Sequence, residues 1–212
     1  MQYLFLDIAS HKGLLACVTE NAVVSSLEVG HKISDADLIP AVENLLKDAK
    51  WSYQDLTHIA CVTGPGGFTS LRVAVTYVNV LADQLSIPLT GVHLSEVYSA
   101  RNLFSQHPIT QPPEGVERGA WGEGIYWLHS TKKQELFVRG GEWKEPTLVT
   151  LDQLTSSLPT SAQWMGELLP EHQAQINREE SQLKNLTDIL PEFVSQLSYD
   201  KKPLEPWYGR GW

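Results

Sequence analysis

Gly64-Pro65-Gly66-Gly67-Phe68-Thr69-Ser70-Leu71-Arg72 follows the short apolar run Ile59-Ala60-Cys61-Val62 and opens the long apolar segment Val73 to Leu85. The order reads as strand, glycine-rich turn, helix. Glycine permits backbone angles and close approaches that a Cβ forbids. The first N–H groups of a helix lack partners within it, so such a turn also suits an anion or a docked loop. A P-loop needs Lys followed by Ser or Thr after its second glycine, and here the nearby cation is Arg72. A dinucleotide fingerprint wants a third glycine where Thr69 stands, in a unit that opens its sheet. Taken alone, these residues favour a tight strand-to-helix turn without a ligand.

Upstream of the turn, Tyr3–Leu6 reads as a strand, and Leu14–Thr19 with Val23–Val29 reads as a hairpin around Glu20-Asn21. A helix is expected from about Asp35 to Ala49, with Ser34 as its N-cap. Downstream, the helix runs to Leu85 and a strand covers Leu89–Val92. Three meandering strands followed by alternating helices and strands imply a mixed α/β sheet.

The segment from Ser105 to Gly124 holds three prolines and four glycines and reads as a loop or domain junction. Beyond it, Ile125–His129 and Glu135–Arg139 alternate like strands, with Gly140-Gly141 as a turn. Asp152–Ser157, Pro170–Arg178 and Thr187–Leu197 are helix candidates, and the tail Pro203 to Trp212 is expected to dock rather than coil. No sequence repeat is visible. The expected organisation is a lobe over 1–104, joined by the tail from about 187 to 212, and a smaller lobe over 105–186.

At 212 residues and 23.7 kDa the chain can bury a substantial core. Its apolar runs are too short for a bilayer. The start goes straight into a strand without a basic region or cleavage site, so a cytoplasmic protein is expected. Cys17 and Cys61 lie within apolar strands and read as buried reduced thiols. A net charge of −9 argues against independent tight binding to nucleic acid, which needs a basic footprint.

Helical wheels add a further expectation. On the first helix Leu38, Ile39, Ala41, Val42, Leu45, Leu46 and Ala49 fill an arc of about 160°. On the second, the apolar arc from Val80 and Val73 through Leu81 and Leu71 to Val75 covers about 220°. So wide an arc implies a second layer of the same chain or a partner protein. The expected partner surface is Leu38, Val42, Leu45 and Leu46 with Val73, Tyr77, Val80 and Leu81. If Leu71 and Val75 pack inward, Tyr77 points outward with Val73 and Val80.

The strand ending at Asp7, the hairpin, Leu38-Ile39-Pro40, Asp55-Leu56, the glycine segment Gly64 to Arg72 and Ile87-Pro88-Leu89 together resemble the TsaB family. That family serves bacterial tRNA threonylcarbamoyladenosine biosynthesis and belongs to the actin/hexokinase/Hsp70-like (ASKHA) superfamily. Lys132-Lys133-Gln134-Glu135-Leu136-Phe137-Val138 is similar to its second-lobe strand motif, and Pro206-Trp207-Tyr208-Gly209-Arg210 to its ending. The chain departs from the family where Gly67 replaces a usual serine, Ser70 a usual glycine, and Ile8-Ala9 a usual Thr-Ser after Asp7. A nucleotide edge, if this fold presents one, would be framed by Asp7, Gly64, Gly66, Gly67 and Thr69.

The resemblance implies an ASKHA fold and a non-catalytic subunit that pairs with the catalytic paralogue TsaD, with a TsaE-type ATPase as a further partner and tRNA held indirectly. ATP or threonylcarbamoyl-adenylate would be handled by the assembly, with no cofactor or metal of the chain's own. TsaD carries a His-x-x-x-His pair, whereas here His93 has Val97 four residues on, and no two of the seven histidines stand closer than fourteen residues. The rival readings are an active ASKHA enzyme, metallopeptidase-like or a small-molecule kinase, and a self-associating homodimer without ligand.

Overall fold

The computed structural model describes residues 1–30, 33–102, 124–131 and 134–209. The loop expected over 105–123, the pair Lys132-Lys133 and the last three residues, 210–212, lie outside these. The chain forms two compact units, Met1–Leu94 with Leu186–Tyr208, and a second centred on Ser95–Asn185.

The first unit is built on strands β1 (Gln2–Asp7), β2 (Lys12–Thr19), β3 (Val23–Gly30), β4 (His58–Gly64) and β5 (Leu89–His93). They lie in the order β3-β2-β1-β4-β5. β1 and β2 pair antiparallel with Leu6 opposite Leu15, while β1 and β4 pair parallel with Leu6 opposite Cys61. β1 and β4 sit mid-sheet and are buried on both faces, which explains their nearly continuous apolar sequences.

Two helices, α1 (Asp35–Ala49) and α2 (Phe68–Leu85), cover one face. α1 packs on β2 and β3, and α2 on β4 and β5. Alternation along the strands sends Leu4, Leu6, Leu15, Cys17, Ile59 and Cys61 into the core that they share with both helices. α1 starts where its cap predicts, since the Ser34 hydroxyl accepts the Asp37 amide at 3.2 Å. Its end is set by Lys50 in a left-handed conformation, φ 59°, whose amide reaches back to the last turn. α2 begins at Phe68, because Gly67 already returns its carbonyl to the Leu71 amide.

The second unit contains α3 (Leu94–Arg101), β6 (Ile125–Ser130), β7 (Glu135–Gly140), β8 (Trp143–Thr150), α4 (Leu151–Ser157), β9 (Gln163–Glu167), α5 (Pro170–Ile176) and the two-residue β10 (Glu179–Glu180). The strand order β10-β9-β6-β7-β8 repeats that of the first unit, read from the other edge. Again three strands meander, and the first pairs parallel with the fourth. The chain then returns through α6 (Leu186–Gln196), which packs on β2 and β3 and buries Leu190, Phe193 and Val194. No sequence repeat announced this duplication: a shared order of elements leaves no trace when side chains differ. α3, β8, β9 and β10 were not anticipated. β8 carries Lys144, Glu145 and Pro146 on an edge and so lacks an apolar run.

Candidate functional site

The carboxyl ends of β1, β4 and β5 converge, and each delivers a feature singled out in the sequence. β1 ends on Asp7, which is buried and bonded within its own loop. Its Oδ1 accepts the Ala9 and Ser10 amides at 3.0 and 3.1 Å, and its Oδ2 accepts the Ser10 hydroxyl at 2.6 Å. Ile8, Ala9 and Ser10 are buried with it. β4 ends on Gly64, whose φ of +145° favours glycine, followed by a cis bond to Pro65. Gly66 lies against the first loop, and a Cβ there would stand 2.6 Å from the Ala9 carbonyl oxygen. Gly67 and Thr69 face solvent at the start of α2.

The structure therefore brings Asp7, Gly64 and Gly66 together but directs Asp7 into its own turn, apart from exposed Gly67 and Thr69. Burial and the Asp7 carboxylate both push the Cys61 thiol upward, and burial lifts Cys17 to about 11, so neither is primed as a nucleophile.

The tail completes this edge. Trp207 donates its amide to the Thr63 carbonyl at 2.8 Å, and its own carbonyl fills the place of a Cβ at Gly64. The Trp207 ring meets His93 edge-on with centroids 4.4 Å apart. Tyr208 stacks on Phe68 at 4.9 Å, and the Arg72 guanidinium stands 5.3 Å from the same ring. Sequence reasoning expected a docked tail but had no signal for its seat.

The expected partner surface divides. Leu38, Val42, Leu45 and Leu46 are at most 3% exposed and form the lobe's own core, so that half of the expectation is corrected. An arc of about 160° is close to what one sheet face requires of one helix, and only Ile39 at its edge stands half exposed. α2 differs. Leu71, Ala74, Val75, Val78 and Ala82 point inward, Val73, Tyr77 and Leu81 are half-buried, and Val80 is 58% exposed. Phe68 and Ile39 of the two helices are also about half exposed. Tyr77 points less outward than expected, because its ring leans on the core and its hydroxyl meets that of Tyr53 at 3.3 Å.

The model of a family described as TsaD, tRNA N6-adenosine threonylcarbamoyltransferase, matches residues 28–142, more than half of the chain. This chain belongs to that family, on its TsaB branch. It is 30% identical over 130 residues to the Bacillus subtilis tRNA threonylcarbamoyladenosine biosynthesis protein TsaB, covering 59% of this chain and 55% of the relative. It is 27% identical over 204 residues to the TsaB protein of Buchnera aphidicola from Schizaphis graminum, covering 92% and 94%. The chain thus spans just over half of the first relative and nearly all of the second. A crystal structure of a Pseudomonas aeruginosa protein similar to peptidase YeaZ superposes with a TM-score of 0.68 at 19% identity, over 99% of both chains, which establishes the shared ASKHA-type fold.

Within this TsaB-type chain the second unit carries a polar cluster that sequence reasoning missed. Tyr98 donates to Oε1 of Glu167 at 3.2 Å, and Nδ1 of His129 lies 3.5 Å from Oε2. All three are less than a tenth exposed. Beside them, the Ser130 hydroxyl pairs with Nδ1 of His172 at 2.8 Å and accepts the Leu169 amide. Glu167 ends β9 and lies opposite His129 near the end of β6, a parallel pairing that local sequence cannot announce. Among the described residues no three His, Cys, Asp or Glu side chains are grouped to hold a metal. No helix among them is long and apolar enough to cross a membrane.

Proposed function

We propose that this chain is a non-catalytic subunit of a cytoplasmic tRNA-modifying assembly. It pairs with a TsaD-like paralogue and supports threonylcarbamoylation of adenosine 37 in ANN-decoding tRNAs. A TsaE-like ATPase is the further partner, and ATP or threonylcarbamoyl-adenylate belongs to the assembly rather than to this lobe. The observation that carries the reading is the uncovered apolar stripe on α2. Val80 stands exposed there beside half-buried Val73, Tyr77 and Leu81. An apolar stripe flanked by charge is what a partner helix covers. The names of the TsaB relatives and the family description supply the pathway. Two features support a role without chemistry of its own: Asp7 is engaged in its own loop, and Gly66 closes on Ala9.

The test is to mix the purified chain with the TsaD-like protein of the same genome and measure mass in solution. A one-to-one complex, with tRNA modification in the mixture dependent on both, is expected. A chain that stays a homodimer and leaves modification unchanged would overturn the reading, as would modification by this chain alone.

A further inference from the structure

An α/β sheet takes its ligand in the crevice outside the carboxyl ends of its strands. In the first unit that edge is occupied by the chain itself. Trp207 is held by its amide on Thr63 and by its ring on His93. Asn79, far away in sequence, grips the segment with its whole amide: Nδ2 donates to the Leu204 carbonyl at 2.9 Å and Oδ1 accepts the Leu204 amide at 2.8 Å. One glycine is fitted to the segment: Gly64 has no room for a Cβ because of the Trp207 carbonyl.

We propose that this edge is a peptide cleft and that Pro206-Trp207-Tyr208 is its ligand, bound in cis where such a sheet ordinarily takes a small molecule. The ligand class is an extended aromatic peptide preceded by proline. No residue from Lys201 to Gly209 is buried, and Lys201, Lys202, Pro203 and Glu205 are exposed. A segment held by a few backbone bonds and ring faces, with no fully buried residue, opens at lower cost than the core beneath it. Trp207 is thus a separable occupant of this edge. The proposal is independent of the partner assigned above.

Hydrogen exchange on the full-length chain tests it. Trp207→Ala is expected to speed exchange of the residue 207 amide at least tenfold while the amides of β1 and β4 stay protected. Asn79→Ala should do the same from the other end without touching the turn. A synthetic peptide spanning Lys202 to Gly209 should bind the Trp207→Ala chain, shift the His93 ring signals, and leave the parent unchanged. Mg-ATP should leave the His93 signals of the parent unmoved. The proposal is overturned if the peptide binds neither loosened variant, or if exchange in both matches the parent. Mg-ATP shifting His93 while the Trp207 amide stays protected would also overturn it. Global unfolding of both variants would make the segment core and equally refute it.

Discussion

Gly66 stands so close to Ala9 that a Cβ on it would lie 2.6 Å from the Ala9 carbonyl oxygen and 2.7 Å from the Ala9 Cβ. The contact joins the loop after β1 to the turn after β4, and it explains the glycine by close approach rather than by backbone angle. Gly66→Ala should therefore cost roughly 1–3 kcal/mol through overpacking. Gly67→Ser should change stability by no more than about 0.5 kcal/mol, since a Cβ there meets only the Ser70 side chain, no nearer than 3.5 Å. Urea titration of both variants decides the matter, and equal midpoints would remove the distinction.

Val80 offers a cleaner probe of the proposed partner surface than Tyr77. Its exposure allows Val80→Asp to leave stability within about 0.5 kcal/mol of the parent while weakening association with the TsaD-like protein by tenfold or more. Tyr77→Asp should instead lower stability as well, because the ring rests on the core beside Tyr53. Light scattering with circular dichroism separates the two effects. A Val80→Asp chain that associates like the parent would remove α2 from the interface.

His58 gives a pH dependence with a definite sign. Burial, followed by the nearby N-terminal ammonium, lowers its pKa below the usual histidine range, and its ring packs against Tyr3 and Tyr199. The unfolded chain then binds more protons than the folded one as pH falls through that range. The stabilisation is present above the unfolded pKa of about 6.5 and is lost as the pH drops toward the folded value. The thermal midpoint should fall between about pH 7 and pH 5, and His58→Gln should flatten that slope. An unchanged slope in the variant would assign the effect to other groups.

Both thiols should be silent in the folded protein. Cys17 and Cys61 are fully buried with raised pKa values, so a disulfide-exchange reagent at neutral pH should react with neither until denaturant is added. Two equivalents released after denaturation is the expected count, and rapid release from native protein would show an opening at β2 or β4.

Much of the first unit was legible because its signals are local. Ser34 caps α1 as expected, and β1, the hairpin β2–β3, α1, β4 and β5 all fall close to their expected positions. Both apolar arcs read as partner surface, the one on α2 because it is wider than a one-sided helix needs. The assignment of Leu38, Val42, Leu45 and Leu46 to a partner failed, because an apolar face does not say whether its cover comes from the same chain.

The sequence alone therefore determined the strands, helices and glycine turn of the first unit, each set by neighbours a few positions apart. Tertiary structure decided what those elements meet. The duplicated strand order, the Tyr98–Glu167–His129 cluster and the seat of the tail are long-range facts. Asn79 and Leu204 are separated by 125 positions and yet exchange two hydrogen bonds. Caps and periodicity are carried by adjacent side chains, whereas a close approach such as Gly64 to Trp207 exists only once the sheet has brought distant segments to one edge.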